Sequence, residues 1–323
     1  MSALVPWRAV DQLVRSSAVP AATAAGLRRS GVRLAKGCFV PGEWWQAAPL
    51  WEKYRAVLSA RTVMHPGTVF CCRTALLLHG VALGHTPSAV FVAAATRSEA
   101  GRHPSSVVAA AGLSTFAPRT HVHVHPAFEP QPVGDFSVMP LDLALSEVMA
   151  REPVEASLPG LDAALRARAV TVEGLGALAE AQPLRTRREQ AIGVLAEAEP
   201  RSESAGESLS RVAMLRLGVQ RPEVQVEIEV LGRRLRLDFA WPGVRVAGEC
   251  DGRQKYLDSS MRAAGASEWD VLKAEQMRDA LIRREYREVV HWSAEDRKPI
   301  TRLRDKLVVA GVPVDARTAT RLR

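Results

Sequence analysis

Three acidic residues interrupt a stretch that otherwise predicts two buried strands. In RLDFAWPGVRVAGECDGRQKY, residues 236–256, the acids Asp238, Glu249 and Asp251 stand within apolar runs on either side of a Pro-Gly turn. A carboxylate is costly to remove from water unless it is paired with a cation or binds a metal. The fold must therefore bring a partner to these acids, and this requirement constrains the chain more than any other feature.

The register of this hairpin decides where the acids lie relative to one another. Pairing Trp241 with Val244 across the Pro-Gly turn places Asp238 opposite Ala247 and diagonal to Glu249. Because side chains alternate across a strand, these acids then share one face of the hairpin. The sequence therefore predicts that the carboxylates converge.

Two interpretations of the convergence stay open at this point. In the structural one, Arg236 faces Glu249 and Arg234 faces Asp251, which gives a ladder of cross-strand ion pairs. In the functional one, Asp238 and Glu249 hold Mg²⁺, an ion that takes one or two carboxylates together with water and substrate phosphate.

Helices are predicted on both sides of the hairpin. In SESAGESLSRVAMLRLG, Ser204 and Glu207 have the spacing of a capping box, which predicts a helix with Glu207 in its first turn. Downstream, KAEQMRDALIRREYREVVHW predicts a helix with Arg278 on its polar side, followed by a strand.

This order of elements resembles the PD-(D/E)xK nuclease superfamily, and within it the branch near the very-short-patch-repair endonucleases. The resemblance covers about residues 200–305. It implies a restriction-endonuclease-like domain, with a central mixed β-sheet flanked by helices, that hydrolyses phosphodiester bonds with Mg²⁺ or Mn²⁺. The catalytic residues that it implies are Glu207, Asp238, Glu249, Asp251 and Lys255, of which Asp238, Glu249 and Asp251 are the metal ligands.

The chain departs from the superfamily pattern at one position. Asp251 stands two residues after Glu249, where the superfamily usually has a lysine. Lys255 is therefore expected to take the part of that lysine and to position or deprotonate the attacking water.

Residues 1–60 predict a small DNA-binding domain with a net charge of +5. WRAVDQLVRSSA and AATAAGLRRSG predict helices, and VRLAKGCFVP predicts a hairpin. Helices followed by a hairpin form the winged helix-turn-helix pattern, in which basic side chains contact phosphates. The expected contacts are Arg28, Arg29, Arg33 and Lys36. The alternative is a small helical cap with a solvated basic face.

Residues 61–150 predict a mixed α/β domain. Together with the winged helix, its TALLLHG helix resembles the AbiEi-type antitoxins of abortive-infection systems, which implies a DNA-binding autoregulator. Residues 151–200 predict a helical connector broken by prolines, and residues 201–323 the restriction-endonuclease-like domain.

Histidines and cysteines of the middle domain are candidate metal ligands. His121, His123 and His125 alternate along THVHVHP and share a strand face, but no cysteine or acid lies nearby in sequence. A solvated strand face is the preferred interpretation of these histidines. Cys71 and Cys72 are predicted to point to different sides of a helix and to pack as small apolar residues.

Charge and composition limit the kinds of partner and the cellular setting that the chain is expected to have. Residues 61–200 carry a net charge of −2 and residues 201–323 carry +5, so that two basic ends flank a mildly acidic middle, as expected of a chain that approaches a polyanion. No apolar run is long enough to span a membrane, and the N-terminus lacks the pattern of a signal peptide. The four cysteines show no C-x-x-C spacing, which favours a reducing cytoplasm.

Together these patterns predict an α/β protein that docks on DNA through its N-terminus and cleaves it with a metal-dependent C-terminal domain. Arg253 and Arg278 are expected to add DNA contacts in that domain. A protein partner from a defence or toxin–antitoxin system is expected, and a homodimer is left open. The competing interpretation is a transcriptional regulator or antitoxin that uses a degenerate nuclease fold for binding alone.

Overall fold

The computed structural model describes residues 4–251, 268–319 and 322, with the backbone alone for residues 268–272. The predicted α/β class is confirmed, because helices alternate with mixed and antiparallel sheets. Two compact units divide the chain: the first contains Met1–Glu152 and Ala167–Leu195, and the second contains Pro153–Arg166 and Ala196–Arg323. The predicted division of the chain into four segments, with boundaries at residues 60, 150 and 200, stays a prediction.

The elements up to residue 196 are short strands and helices of six to fifteen residues. The strands are β1 Val14–Arg15, β2 Val32–Ala35, β3 Cys38–Val40, β4 Val69–Phe70, β5 Ala89–Ala94, β6 Gly101–His103, β7 Val108–Ala109, β8 Arg119–Val124, β9 Gln131–Val133 and β10 Phe136–Val138. The helices are α1 Ala21–Ser30, α2 Gly42–Ala47, α3 Leu50–Met64, α4 Cys72–Leu78, α5 Leu141–Arg151, α6 Val154–Arg166, α7 Val172–Glu180 and α8 Arg185–Ala196.

The remaining elements form the part of the chain that carries the acids. They are the strands β11 Glu223–Val230, β12 Arg233–Trp241, β13 Val246–Cys250 and β14 Glu288–Trp292, and the helices α9 Ala205–Leu217, α10 Glu268–Ile282 and α11 Thr301–Val309. Short 3₁₀ turns occur at Pro242–Val244 and Ala316–Thr318.

The first unit contains two sheets. One has the antiparallel strand order β1-β3-β2-β7, and the other has the mixed order β6-β8-β5-β4-β10-β9. In the second of these, β5 pairs with β4 on one side and with β8 on the other. Residues that follow β4 and β8 are thereby brought close to the same strand.

One predicted element of the first unit is wrong. The segment 7–18 is not a helix: Val14–Arg15 forms a strand that pairs with β3, while α1 and the hairpin of β2 and β3 occur as predicted. Contacts distant in sequence hold the segment, since Val10 N donates to Ser59 Oγ and Ala9 N donates to Asp135 Oδ2. These contacts override a weak local helical pattern.

The sheet of the second unit is buried on both faces only in its central part, which is β13 and the end of β12. The strand order is β11-β12-β13-β14, antiparallel except for the parallel pair β13 and β14. Phe239 and Trp241 pack with residues of α9 and α11, whereas Leu237, Ala240 and Ala247 pack with Ile282 at the end of α10. Burial on both faces explains the apolar runs at the end of β12 and in β13.

The hairpin register differs from the predicted one by two residues. Trp241 pairs with Val246 and not with Val244, because the 3₁₀ turn and Arg245, at a φ of 53°, occupy the loop. A shift of two residues alone would keep every side chain on its predicted face. The alternation nevertheless breaks between Leu237 and Phe239, because Leu237 packs in the core of Ala240 and Ala247 whereas Phe239 packs in the other core. Ala247 pairs with Ala240, so Asp238 does not lie opposite Ala247 as predicted.

Gly248 allows two tryptophan rings to pack on β13. A Cβ atom at this position would lie 2.6 Å from Cη2 of Trp292 and 3.2 Å from Cζ3 of Trp241, and both rings are fully buried. Trp292 is also fixed at its other end, where Nε1 donates to Ser210 Oγ over 2.8 Å.

We expect Gly248→Ala to lower the free energy of unfolding by about 1–3 kcal/mol, the usual cost of overpacking a core. The measurement is urea denaturation. Gly243→Ala is the matched control, since no atom lies within 4 Å of a Cβ placed there. Equal losses in the two variants would contradict the proposed clash.

Candidate active site

Three of the predicted catalytic residues line one cleft of the second unit. Glu207, Asp238 and Glu249 border a space of about 760 Å³, and Arg278 borders it as well. We call this space, defined by the three carboxylates, the acidic cleft. Asp238 and Glu249 thus border one space, as the hairpin pattern predicts, whereas Asp251, the third acid of that prediction, is not among the residues that border it.

Glu207 is held by the predicted capping box at the start of α9. Ser204 Oγ accepts from Glu207 N over 3.1 Å and donates to Glu207 Oε1 over 2.8 Å, while Glu203 N donates to Glu207 Oε2 over 2.8 Å. Burial raises the pKa of Glu207. This carboxylate therefore has a structural role besides any role in the cleft.

Gln225 joins two of the carboxylates. Its Nε2 lies 2.9 Å from Glu207 Oε2 and 3.4 Å from Asp238 Oδ1, and its backbone has a φ of 55°. The other amide atom, Oε1, is buried with no hydrogen-bond partner among the described residues. Nothing in VQVEIEV distinguishes Gln225 from a solvated strand position, so the sequence does not predict it as part of the site.

Asp238 lies where β12 and β13 stop pairing. The paired positions end at Phe239 and Gly248, and the next free amide, Cys250 N, donates to Asp238 Oδ2 over 2.9 Å. The carboxylate thus takes the place of a main-chain acceptor and is fixed at the end of the strand.

Glu249 is buried in the cleft with one cationic partner. Its side chain is 8% exposed, and Arg278 Nη2 lies 2.9 Å from its Oε1. Burial and the charge of Asp238 outweigh Arg278 and raise the pKa of Glu249 to about 7. Near neutral pH, this carboxylate is only partly ionised in the absence of a further cation.

Asp251 lies apart from the acidic cleft and contacts a histidine. Its Oδ1 is 3.6 Å from His291 Nδ1, and His291 Nε2 is 3.1 Å from both carboxylate oxygens of Asp279. These two acids raise the pKa of His291 to about 9, so the imidazole is protonated at neutral pH. His291 is the β14 partner of Glu249, and its position between apolar residues of VVHW was the only sequence signal for it.

The predicted ladder of cross-strand ion pairs is wrong. Arg236 Nη2 lies 2.6 Å from Glu203 Oε2, and Arg234 stands opposite Glu229 of β11. Glu249 is instead paired with Arg278 of α10. The ladder does not form because the acids beside these arginines come from elsewhere, Glu203 ahead of α9 for Arg236 and Glu229 of β11 opposite Arg234.

The other predicted site residues are placed as follows. Arg253 and Lys255 lie outside the described residues. Arg28, Arg29, Arg33 and Lys36 are exposed in the first unit, and Arg278 borders the acidic cleft. Contact of these residues with DNA stays a prediction.

Comparison with protein-family models, curated proteins and solved structures gives no match. The resemblances to nucleases and antitoxins therefore stay predictions, as do the cytoplasmic setting and the protein partner. Within the part of the chain that the structure describes, no helix is both long and apolar enough to cross a membrane.

Proposed function

We propose that the protein binds DNA and that its acidic cleft, with a bound Mg²⁺ or Mn²⁺ ion, hydrolyses phosphodiester bonds. The observation that carries the proposal is the convergence of Glu207, Asp238 and Glu249 on one cleft, where Arg278 is paired with Glu249.

The donor set of the cleft fits a hard divalent cation. Carboxylate and amide oxygens are the ligands that Mg²⁺ takes, and the buried Oε1 of Gln225 lacks a partner in the described residues. Burial, and then the charge of Asp238, raise the pKa of Glu249, so that a nearby cation would favour its ionised form. A divalent cation on Asp238 and Glu249 would supply the missing charge.

A bound ion would neutralise charge on a phosphodiester and lower the pKa of an attacking water. If Glu249 held the ion, Arg278 would be able to donate to a phosphate oxygen, for which its planar guanidinium is suited. His291, protonated at neutral pH, adds positive charge beside Glu249 and does not act as a base. Lys255, which lies outside the described residues, is proposed to position or deprotonate the attacking water.

Supercoiled plasmid DNA tests this proposal. Cleavage in Mg²⁺ or Mn²⁺, and none in EDTA, is the expected result. Binding of the plasmid without cleavage in either ion would favour a second candidate function, that of a DNA-binding regulator. That candidate is favoured by two observations: Asp251 occupies the usual lysine position, and Arg278 already pairs with Glu249.

Docking on DNA is assigned to the exposed basic residues of the first unit. We expect replacement of Arg28, Arg29, Arg33 and Lys36 by Gln to weaken DNA binding and to flatten its salt dependence. The slope of log K against log salt falls by about 0.9 for each phosphate that the protein no longer neutralises, so a decrease of about two to four units is expected.

Fluorescence anisotropy with a DNA duplex at several salt concentrations measures this slope. The matched control replaces three other exposed arginines of the same unit by Gln: Arg97, Arg102 and Arg119. If both variants keep the wild-type slope, the basic residues of α1 and its hairpin are a solvated face and the docking assignment is wrong.

A further inference from the structure

Two cysteines and a histidine come together inside the first unit. One ligand atom each from Cys71, Cys72 and His125 lies within 4.8 Å of the others, and all three residues are buried. The predictions that the cysteines point to different sides of a helix and that His125 is solvated are therefore wrong.

The sheet explains this meeting of residues 54 positions apart. Cys71 follows β4, where its N donates to Phe91 O of β5 over 3.1 Å. His125 follows β8 on the other side of the same strand, where its N donates to Ala94 O over 3.3 Å. Because β5 lies between β4 and β8, the sequence separation hid a contact that the topology makes.

His125 has one nitrogen engaged and one open. Its Nδ1 lies 3.7 Å from Glu147 Oε2, and its Nε2 is buried with no hydrogen-bond partner in the described residues. The side chain is only 2% exposed, and the Glu147 oxygen beside it also pairs with Arg151. A buried histidine with a carboxylate beside one nitrogen and the other nitrogen open resembles the arrangement of many metal ligands.

His123 supplies a fourth donor. Its Nδ1 lies 3.7 Å from Cys72 Sγ. Around a tetrahedral zinc ion with bonds of about 2.3 Å to sulfur and about 2.0–2.1 Å to nitrogen, a sulfur and a nitrogen ligand are separated by about 3.6 Å. The observed separation matches two neighbouring ligands of one ion, but His123 is not one of the three residues whose ligand atoms all lie within 4.8 Å of one another.

We propose that Cys71, Cys72 and His125 bind one Zn²⁺ ion and that His123 completes a closed structural site by a shift of its side chain. Two thiolates and two imidazoles form a donor set that zinc prefers and that Mg²⁺ does not. Four protein ligands would leave no open position for a substrate, and Glu147 is the carboxylate beside Nδ1 of His125. The ion joins the start of α4 to the end of β8, and the site is independent of the proposed nuclease function.

Metal analysis of the full-length protein, purified in reducing buffer and supplied with Zn²⁺, tests the proposal. We expect about one firmly held zinc per chain in the wild type and in Cys38→Ser, which removes a buried thiol of the same unit outside the cluster. Cys72→Ser is expected to lose that zinc. A wild type that holds no zinc, or a Cys72→Ser variant that keeps it, would overturn the proposal.

A second variant covers the case in which Cys72→Ser does not fold. Glu147→Gln keeps all four ligands, and we expect it to bind zinc about 10–100-fold more weakly in competition with a chromophoric chelator. Unchanged affinity would contradict the orienting role of Glu147.

Replacement of zinc by Co²⁺ distinguishes this site from the acidic cleft. Thiolate-to-cobalt charge-transfer absorption, present in the wild type and in Glu249→Gln, is the expected result. Bound cobalt without thiolate absorption would place the ion elsewhere and overturn the assignment.

Discussion

Glu249→Gln is expected to make the cation-free protein more stable at pH 8, by about 3–4 kcal/mol. The pKa of Glu249 is raised from 4.5 to about 7, and each pKa unit corresponds to about 1.4 kcal/mol. A raised carboxyl pKa contributes stability that is complete below the unfolded value and is lost as the pH rises through the folded value. The difference between variant and wild type should therefore be small below pH 4.5, grow between pH 4.5 and 7, and then level off.

The measurement is urea denaturation from pH 4 to pH 9 in the presence of a chelator. Glu229→Gln, which removes an exposed acid of β11 outside the acidic cleft, is the matched control and should show no such pH dependence. Arg278 tolerates the loss of its partner because it still donates to Arg236 O and its side chain is 36% exposed.

Added Mn²⁺ should make the wild type more stable than Glu249→Gln, the reverse of the order expected without the ion. An ion that binds the folded wild type stabilises it in proportion to the logarithm of its concentration, whereas the variant lacks a ligand. Equal stabilities of wild type and Glu249→Gln at every pH would mean that Arg278 fully neutralises Glu249. The charge argument for a cation site would then fail.

The local part of the site could be predicted from the sequence. Ser204 and Glu207 form the expected capping arrangement, and a strand period of two placed Asp238 and Glu249 on a common face. The two-residue error in the hairpin register left Asp238 and Glu249 bordering the same cleft, although Leu237 and Phe239 pack in different cores and not on one face as predicted. Predictions from short-range spacing succeeded where a regular period fixed the geometry.

Contacts between distant elements could not be predicted in the same way. Gln225 reaches Glu207 and Asp238 from β11, and Arg278 reaches Glu249 from α10. Asp251 is predicted to be a metal ligand beside Glu249, yet it contacts His291. Each of these partners depends on sheet order and helix packing, which no local pattern encodes.

The cysteines and histidines of the first unit illustrate the same limit. The sequence favours a solvated strand over a metal site because no cysteine lies near THVHVHP. The strand order β8-β5-β4 brings Cys71 and Cys72 to His125. Sequence distance is the wrong criterion, because a sheet joins residues across an intervening strand.

Asp238→Asn should have the largest effect on DNA cleavage. The substitution keeps the size of the side chain and an oxygen able to accept from Cys250 N, but it removes a charge from the proposed ion site. A loss of about 10²-fold or more in the cleavage rate is expected, the magnitude associated with removal of one charge-stabilising group. Affinity for DNA in EDTA should change little, because the exposed basic residues of the first unit are unaltered.

The central claim is tested most directly by single-turnover cleavage of supercoiled plasmid by wild type, Asp238→Asn and Glu229→Gln in Mn²⁺ and in EDTA. We expect cleavage by wild type and by Glu229→Gln in Mn²⁺ alone, with Asp238→Asn reduced by at least about 10²-fold while bound to the plasmid. Cleavage by Asp238→Asn at the wild-type rate, or no cleavage by the wild type with either Mg²⁺ or Mn²⁺, would contradict a metal-dependent nuclease site in the acidic cleft.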